Sequence, residues 1–196
     1  MGERQATVER KTRETNLRVT VDLEGSGAFS GQVGVGFLEH MLELLARHAL
    51  IDLTIEGKGD LAVDAHHTVE DLGICIGQAI REALGDMTGV VRYGSGWVPM
   101  EEALAHCVID ICNRPYLAYA VPAGREKVGE YDTELSEEFF RALSVNAGMT
   151  VHIRLLAGSN AHHSQEAIFK SFGRALGQAV ARDPRIRGVH STKGML

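Results

Sequence analysis

The chain has 196 residues, 44% of them hydrophobic and 23% charged, which is enough to bury a core and excludes a disordered or low-complexity polymer. Twenty-six acidic against 20 basic residues leave a net charge of −6, with no basic run to hold nucleic acid or an anionic membrane surface. No apolar stretch reaches the ~18 residues of a membrane span. The charged opening MGERQATVERKTRET has no apolar signal-peptide region, and three cysteines (Cys75, Cys107, Cys112) without a C-x-x-C pair suit a reduced, cytoplasmic chain.

Along the chain, LRVTVDL (17–23) alternates polar and apolar and is predicted as a strand. The glycine-rich segment Gly25–Gly36 fits neither the P-loop nor a helix-opening G-x-G-x-x-G, and is expected to be a loop or hairpin. Residues 37–49 carry a helical period, LIDLTIE (50–56) is a strand, a turn follows at Gly57–Asp60, and 68–85 form a second amphipathic helix ending near Gly85. The second half repeats the order: a strand at 105–111, a helix at 135–147, a strand at 149–156 and a helix at 164–181. The tail after Pro184 has no period.

The repetition extends to the residues. A shift of 96 superimposes AHHTVEDLGICIGQAIREA on AHHSQEAIFKSFGRALGQA, matching His66 with His162, His67 with His163, Glu70 with Glu166 and Gly77 with Gly173. A shift of 98 aligns the preceding helix and strand (Leu45 with Leu143, Leu53 with Val151, Ile55 with Ile153). A shift of 88 aligns Glu14 with Glu102 and Asp22 with Asp110. Loop insertions produce such drift. The fold expected from the residues is α+β, with one strand-helix-strand-helix unit used twice. The half-repeats are residues 1–89 and 90–196, packed as one subunit.

On a helix, positions three and four apart share a face, so Glu70 lies beside His66 or His67, and Glu166 beside His162 or His163. Four imidazoles and two carboxylates are most of the coordination of two divalent ions that accept nitrogen and oxygen, among them manganese, iron, nickel and zinc; thiolates are missing from the motif. The 98-residue shift carries His40 onto Glu138, and these two are inferred to complete the sets. One ion would take His66, Glu70, His163 and Glu138, and the other His162, Glu166, His67 and His40.

DAHHTVED, NAHHSQEAIFKSFGRAL, GFLEHML, RYGSGWVPMEEAL, NRPYL, MTVHIR and STKGML together resemble the imidazoleglycerol-phosphate dehydratases of histidine biosynthesis, from about Glu9 to the C-terminus. The resemblance implies a carbon–oxygen lyase that removes water from imidazole glycerol phosphate to give imidazole acetol phosphate. The implied route runs through an imidazolate held by two Mn2+ ions per site and a diazafulvene-like intermediate. It further implies Glu166 as base, Glu14 supplied by a neighbouring chain, and Arg92, Arg114, Lys170, Ser191 and Lys193 for the substrate phosphate. A tandem duplication of a half-domain with a four-stranded sheet and two helices (ribosomal protein S5 domain 2-like) is implied as well, as are trimers assembling into a 24-subunit shell with active sites between subunits. Lys170 also stands out locally, four residues beyond Glu166; His48 and His152 are assigned supporting or core roles. The chain departs from the family's usual residues at Glu39 (commonly Asp), Leu44 (often Gln) and Glu138 (commonly His). Two rival readings are a two-metal hydrolase of a phosphorylated small molecule, which usually needs a bridging Asp or Glu, and a metal-storing shell, which the strands oppose.

Overall fold

A computed structural model describes residues 4–122 and 127–196; residues 1–3 of the first half-repeat and 123–126 of the second lie outside the described residues. The elements run β1 (Gln5–Lys11), β2 (Thr15–Asp22), β3 (Phe29–Gly31), α1 (Gly36–Ala49), β4 (Asp52–Gly59), α2 (His66–Leu84), β5 (Tyr93–Met100), β6 (Ala103–Ile111), β7 (Tyr116–Ala120), β8 (Lys127–Val128), β9 (Tyr131–Asp132), α3 (Leu135–Ala147), β10 (Met149–Ala157) and α4 (Ala161–Val180). The glycine-rich segment is not wholly a loop. Phe29–Gly31 pairs in parallel with Leu53–Ile55, and Asp52 Oδ1 collects the N–H groups of Ser26, Gly27 and Ala28 to lead the chain into that edge. The turn expected at Gly57 starts later, because β4 stays paired with β2 as far as Gly59.

Two four-stranded sheets have the same order, β1-β2-β4-β3 and β5-β6-β10-β7, each with one parallel pair at the edge. Their registers obey the shifts read from the sequence. Val21 pairs with Leu53 and Ile109 with Val151, so 88 residues separate the inner hairpin strands and 98 the central ones. Phe29 opposite Leu53 likewise becomes Leu117 opposite Val151.

Each sheet buries one face: in β2, Thr15, Leu17, Val19 and Val21 point inward and alternate with exposed or half-exposed neighbours. Against these faces lie the apolar stripes of the helices, which pack across the halves, α2 on α3 and α1 on α4. Glycines set that closeness. A Cβ on Gly73 or Gly77 would lie 2.6 Å from the carbonyl oxygens of Phe139 or Leu143, and one on Gly173 or Gly177 2.7 or 2.5 Å from those of Leu45 or Ala49. Phe139, Phe140, Phe169 and Phe172 fill the centre with ring centroids 4.8 to 5.6 Å apart. Burying each contributes about 2–3 kcal/mol. Asp71 of α2 ties the first hairpin down, accepting from Arg10 Nε at 2.7 Å and Thr15 Oγ1 at 2.5 Å. The consequence for function is that the N-terminal turns of α2 and α4, where the paired histidines sit, are brought to comparable places in the two halves. Among the described residues no helix is long and apolar enough to cross a membrane.

Candidate metal and active site

Both His-His pairs fall in the first turn of a helix, α2 starting two residues and α4 three residues earlier than periodicity placed them. Asn160 caps α4, its side-chain oxygen accepting from the His163 N–H at 3.2 Å. From that turn His162 reaches Glu166 one turn on, and α1, packed alongside, brings His40 to the same carboxylate. Both Nε2 atoms stand 3.1 Å from Glu166 Oε1. On the other oxygen, Lys170 Nζ lies 2.5 Å from Oε2. Only 10% of the Glu166 side chain is exposed. Burial works to raise its pKa, but the hydrogen bonds from Lys170, His40 and His162 prevail and hold it at about 2, so it is an anion. Phe37 backs the group, its ring edge-on to His162 at 5.2 Å. The triad opens on a cleft of about 810 Å³ lined by Phe37, His40, Asp64, Lys127, Tyr131 and His162 among others.

The donor set fits a divalent cation. The three donor atoms lie within 4.8 Å of one another, and the 3.1 Å contacts match the about 3 Å between neighbouring donors on an octahedral ion with bonds of about 2.1 Å. Two imidazoles and a carboxylate are the chemistry that manganese, iron or zinc accept.

Of the eight candidate ligands, these three gather within the chain. His163 turns to the β5–β6 turn, where its Nδ1 donates to Glu102 Oε2 at 2.8 Å. That bond, with the backbone N–H of Asn160, holds the Glu102 carboxyl at about 2. His67 donates from Nδ1 to Asp60 at 3.0 Å, and its Nε2 lies 3.8 Å from Glu14. The Asp60 bond raises the His67 pKa, and Glu102 does the same for His163. His66 stands edge-on to His67 at 6.3 Å, Glu70 is exposed, and Glu138 pairs with Arg141 at 3.5 Å. Glu138 therefore does not repeat the contact of His40. The carboxylate it would meet at the equivalent place is Glu70, and like charges turn apart. The proposed phosphate ligands also divide. Lys170 is committed to Glu166, whereas Arg92 and Arg114 sit beyond the opposite end of β6. Arg92 binds Asp110 through Nε at 2.7 Å and Nη2 at 3.2 Å, and Arg114 lies 3.8 Å from the same carboxylate. Eight residues of strand, about 25 Å, separate Asp110 from Glu102. Arg92 holds a φ of 80°, a conformation that favours glycine, and is kept there by Asp110, by the His190 carbonyl and by the Tyr93 ring 4.7 Å away. The bond to His190 draws the tail alongside, bringing Ser191 and Lys193 to this end; the Lys193 N–H donates to Ser191 Oγ.

Sequence reasoning assigned no role to Glu102, although the shift that pairs it with Glu14 pointed to it. Of the departures from the family, Glu39 caps the loop before α1, accepting from the N–H groups of Val33 and Gly34 at 2.6 and 2.8 Å. Leu44 packs on the core. His152 touches the Tyr116 ring, and His48 has its pKa lowered by burial and then by Lys170, Arg174 and Arg47.

The imidazoleglycerol-phosphate dehydratase family profile matches residues 33–176, which take in both His-His motifs, α1 to α3 and all but the last four residues of α4. The chain belongs to the imidazoleglycerol-phosphate dehydratase family. Imidazoleglycerol-phosphate dehydratases of Symbiobacterium thermophilum and Clostridium botulinum are each 55% identical to it over 196 residues, covering all of this chain and 94% and 100% of theirs. The fold agrees with solved dehydratases. That of Staphylococcus aureus has a TM-score of 0.83 at 44% identity, covering 91% of this chain and 99% of its own. That of Pyrococcus furiosus, solved in complex with (S)-C348, has a TM-score of 0.83 at 35% identity, covering 96% and 100%.

Proposed function

We propose that the chain removes water from imidazole glycerol phosphate to give imidazole acetol phosphate, a step of histidine biosynthesis in the cytoplasm, with two Mn2+ ions at each site. The observation that carries this reading is the convergence of His40, His162 and the ionised Glu166 on one point at the rim of a cleft, in a chain of this family. His40, His162 and Glu166 would hold one ion with His67, and His66, Glu70, His163 and Glu138 the other. Manganese on an imidazole ring supplies Lewis acidity that makes the adjoining carbon acidic.

Glu166 takes the carbon-bound proton on its carboxylate. At about 2 its pKa suits an anion but makes a weak base. A substrate phosphate that draws the Lys170 ammonium away from Oε2 removes the strongest of the bonds holding that pKa down, so binding and basicity are coupled. The substrate loses that proton and its neighbouring hydroxyl as water, and the resulting enol becomes the ketone. Glu14 stands on the Nε2 side of His67, beside whatever that nitrogen holds.

The division of these residues supports a site shared between subunits. If His67 completes the set of His40, His162 and Glu166 from a neighbouring chain, Glu14 arrives with it. Arg92, Arg114, Ser191 and Lys193, at the far end of β6, would serve a different subunit's cleft. That geometry accords with two half-repeats, 1–89 and 90–196, in a chain that assembles as trimers into a 24-subunit shell. The test supplies manganese and imidazole glycerol phosphate to the assembled protein and follows the acetol product. Product formation dependent on manganese supports the reading; none from fully metallated protein overturns it.

A further inference from the structure

The imidazoles at equivalent places in the halves are not held alike, and the difference singles out two carboxylates. In the second half, Glu102 is fastened on both oxygens. Oε1 accepts from the backbone N–H groups of Ser159 at 3.3 Å and Asn160 at 2.9 Å, and Oε2 accepts from His163 Nδ1 at 2.8 Å. A carboxylate brings no proton to such a bond, so a proton is on Nδ1, and in the neutral ring that binds metal the lone pair of His163 is on Nε2, on the far side. The first half achieves the same for His67 with a different residue. Asp60, at the end of β4, accepts from Nδ1 at 3.0 Å through Oδ2 and lies 3.3 Å away through Oδ1.

The duplication makes this informative. Glu14 and Glu102 are counterparts in the two hairpin turns, but Glu102 stands at Nδ1 of its histidine and Glu14 at Nε2 of His67. Neither Leu156 nor Gly158, the positions that the shifts of 96 and 98 assign to Asp60, carries an acid. One half thus keeps the hairpin glutamate behind the ring. In the other, an acid before α2 has taken over that place and left the hairpin glutamate in front of the ring.

We propose that Glu102 and Asp60 are positioning residues, which fix the tautomer and direction of His163 and His67 so that each presents Nε2 to a divalent cation, and that this frees Glu14 for the substrate. The proposal rests on the metal-site reading given above. With both oxygens fastened, Glu102 acts on an ion through His163 and not as its ligand. Outer carboxylates of this kind set the orientation and basicity of a ligating imidazole, and losing one costs about 10–100-fold in metal affinity.

The experiment strips the assembled protein of metal and titrates it with manganese, following the free ion by its EPR signal, with melting of the metal-free protein measured alongside. Wild-type protein that takes up no manganese would overturn the metal-site reading, and with it this one. Given uptake, Glu102→Ala and Asp60→Ala should each weaken binding of about one ion per chain by 10–100-fold, while the metal-free melting temperature stays within a few degrees. Glu102→Gln keeps an acceptor for Nδ1–H and should hold affinity within about fivefold. Equal large losses for Glu102→Gln and Glu102→Ala would make Glu102 a ligand and contradict the proposal. Unchanged affinity in the alanine variants, or a fall confined to melting, would contradict it as well.

Discussion

The two halves share a strand order and a register, yet their helix starts hold opposite electrostatics. Where α1 meets α4, two imidazoles and an ammonium surround one carboxylate, and the group closes. Where α3 meets α2, Glu138 faces the place of Glu70, and Ile74 stands where the other half has Lys170; Glu138 turns instead to Arg141. One cross-half group therefore closes within the chain on its own counter-charges, and the other stays open. Duplication copied the scaffold, and two differences, His40 against Glu138 and Lys170 against Ile74, gave the two groups opposite surroundings.

The largest expected effect breaks the closed group. Glu166→Gln removes the proposed base and a proposed ligand, and should lower kcat by about 10³-fold, whereas Lys170→Met should act chiefly by raising KM. A loss of less than tenfold for Glu166→Gln would leave that carboxylate outside the chemistry. Next, Glu138→Ala should reduce manganese bound per chain, measured by elemental analysis of purified protein; unchanged content makes Glu138 a bystander. The helix seam is tested by Gly77→Ala, whose Cβ would lie 2.6 Å from the Leu143 carbonyl. It should cost about 1–3 kcal/mol in denaturant unfolding, outweighing the roughly 1 kcal/mol of improved helix propensity. An increase in stability would mean the seam relaxes freely. The smallest effect is at the helix ends. Gly148 closes α3 with a φ of 68°, and at the equivalent end of α1 Leu50 holds 56° while 63% exposed. Leu50→Gly should stabilise by about 0.5–1 kcal/mol, and a loss of stability would show that Leu50 makes contacts that offset its backbone.

The four helices and the central strands were legible because their apolar residues keep a period of 3.6 or 2. The β5 strand was not, since YGSGWVPM carries two glycines and a proline that read as breakers. The fold explains those glycines: α4 crosses so close that a Cβ on Gly94 would lie 1.9 Å from the Ala175 carbonyl, and one on Gly96 2.3 Å from that of Ser171. Phe29–Gly31 was hidden by its length, three residues among glycines, since a parallel edge strand is defined by its neighbour more than by its own pattern. At the site, Glu166 beside His162 followed from helical spacing, and His40 from the duplication. The closed triad could not be told in advance from its unclosed counterpart, because identical spacing leaves the sign of the facing charge to a residue on another helix. Glu102 lay outside the helix pattern altogether, in a turn, where only its pairing with Glu14 hinted at a role.

The most direct test of a site shared between subunits mixes two disabled chains. Glu14→Gln and Glu166→Gln proteins, each inactive alone, are co-expressed, and dehydration of imidazole glycerol phosphate is followed with manganese present. If Glu14 and Glu166 of one site come from different chains, random assembly restores activity at about a quarter of the sites. If the mixture stays as inactive as its components, both carboxylates act within one chain, and the shared site is contradicted.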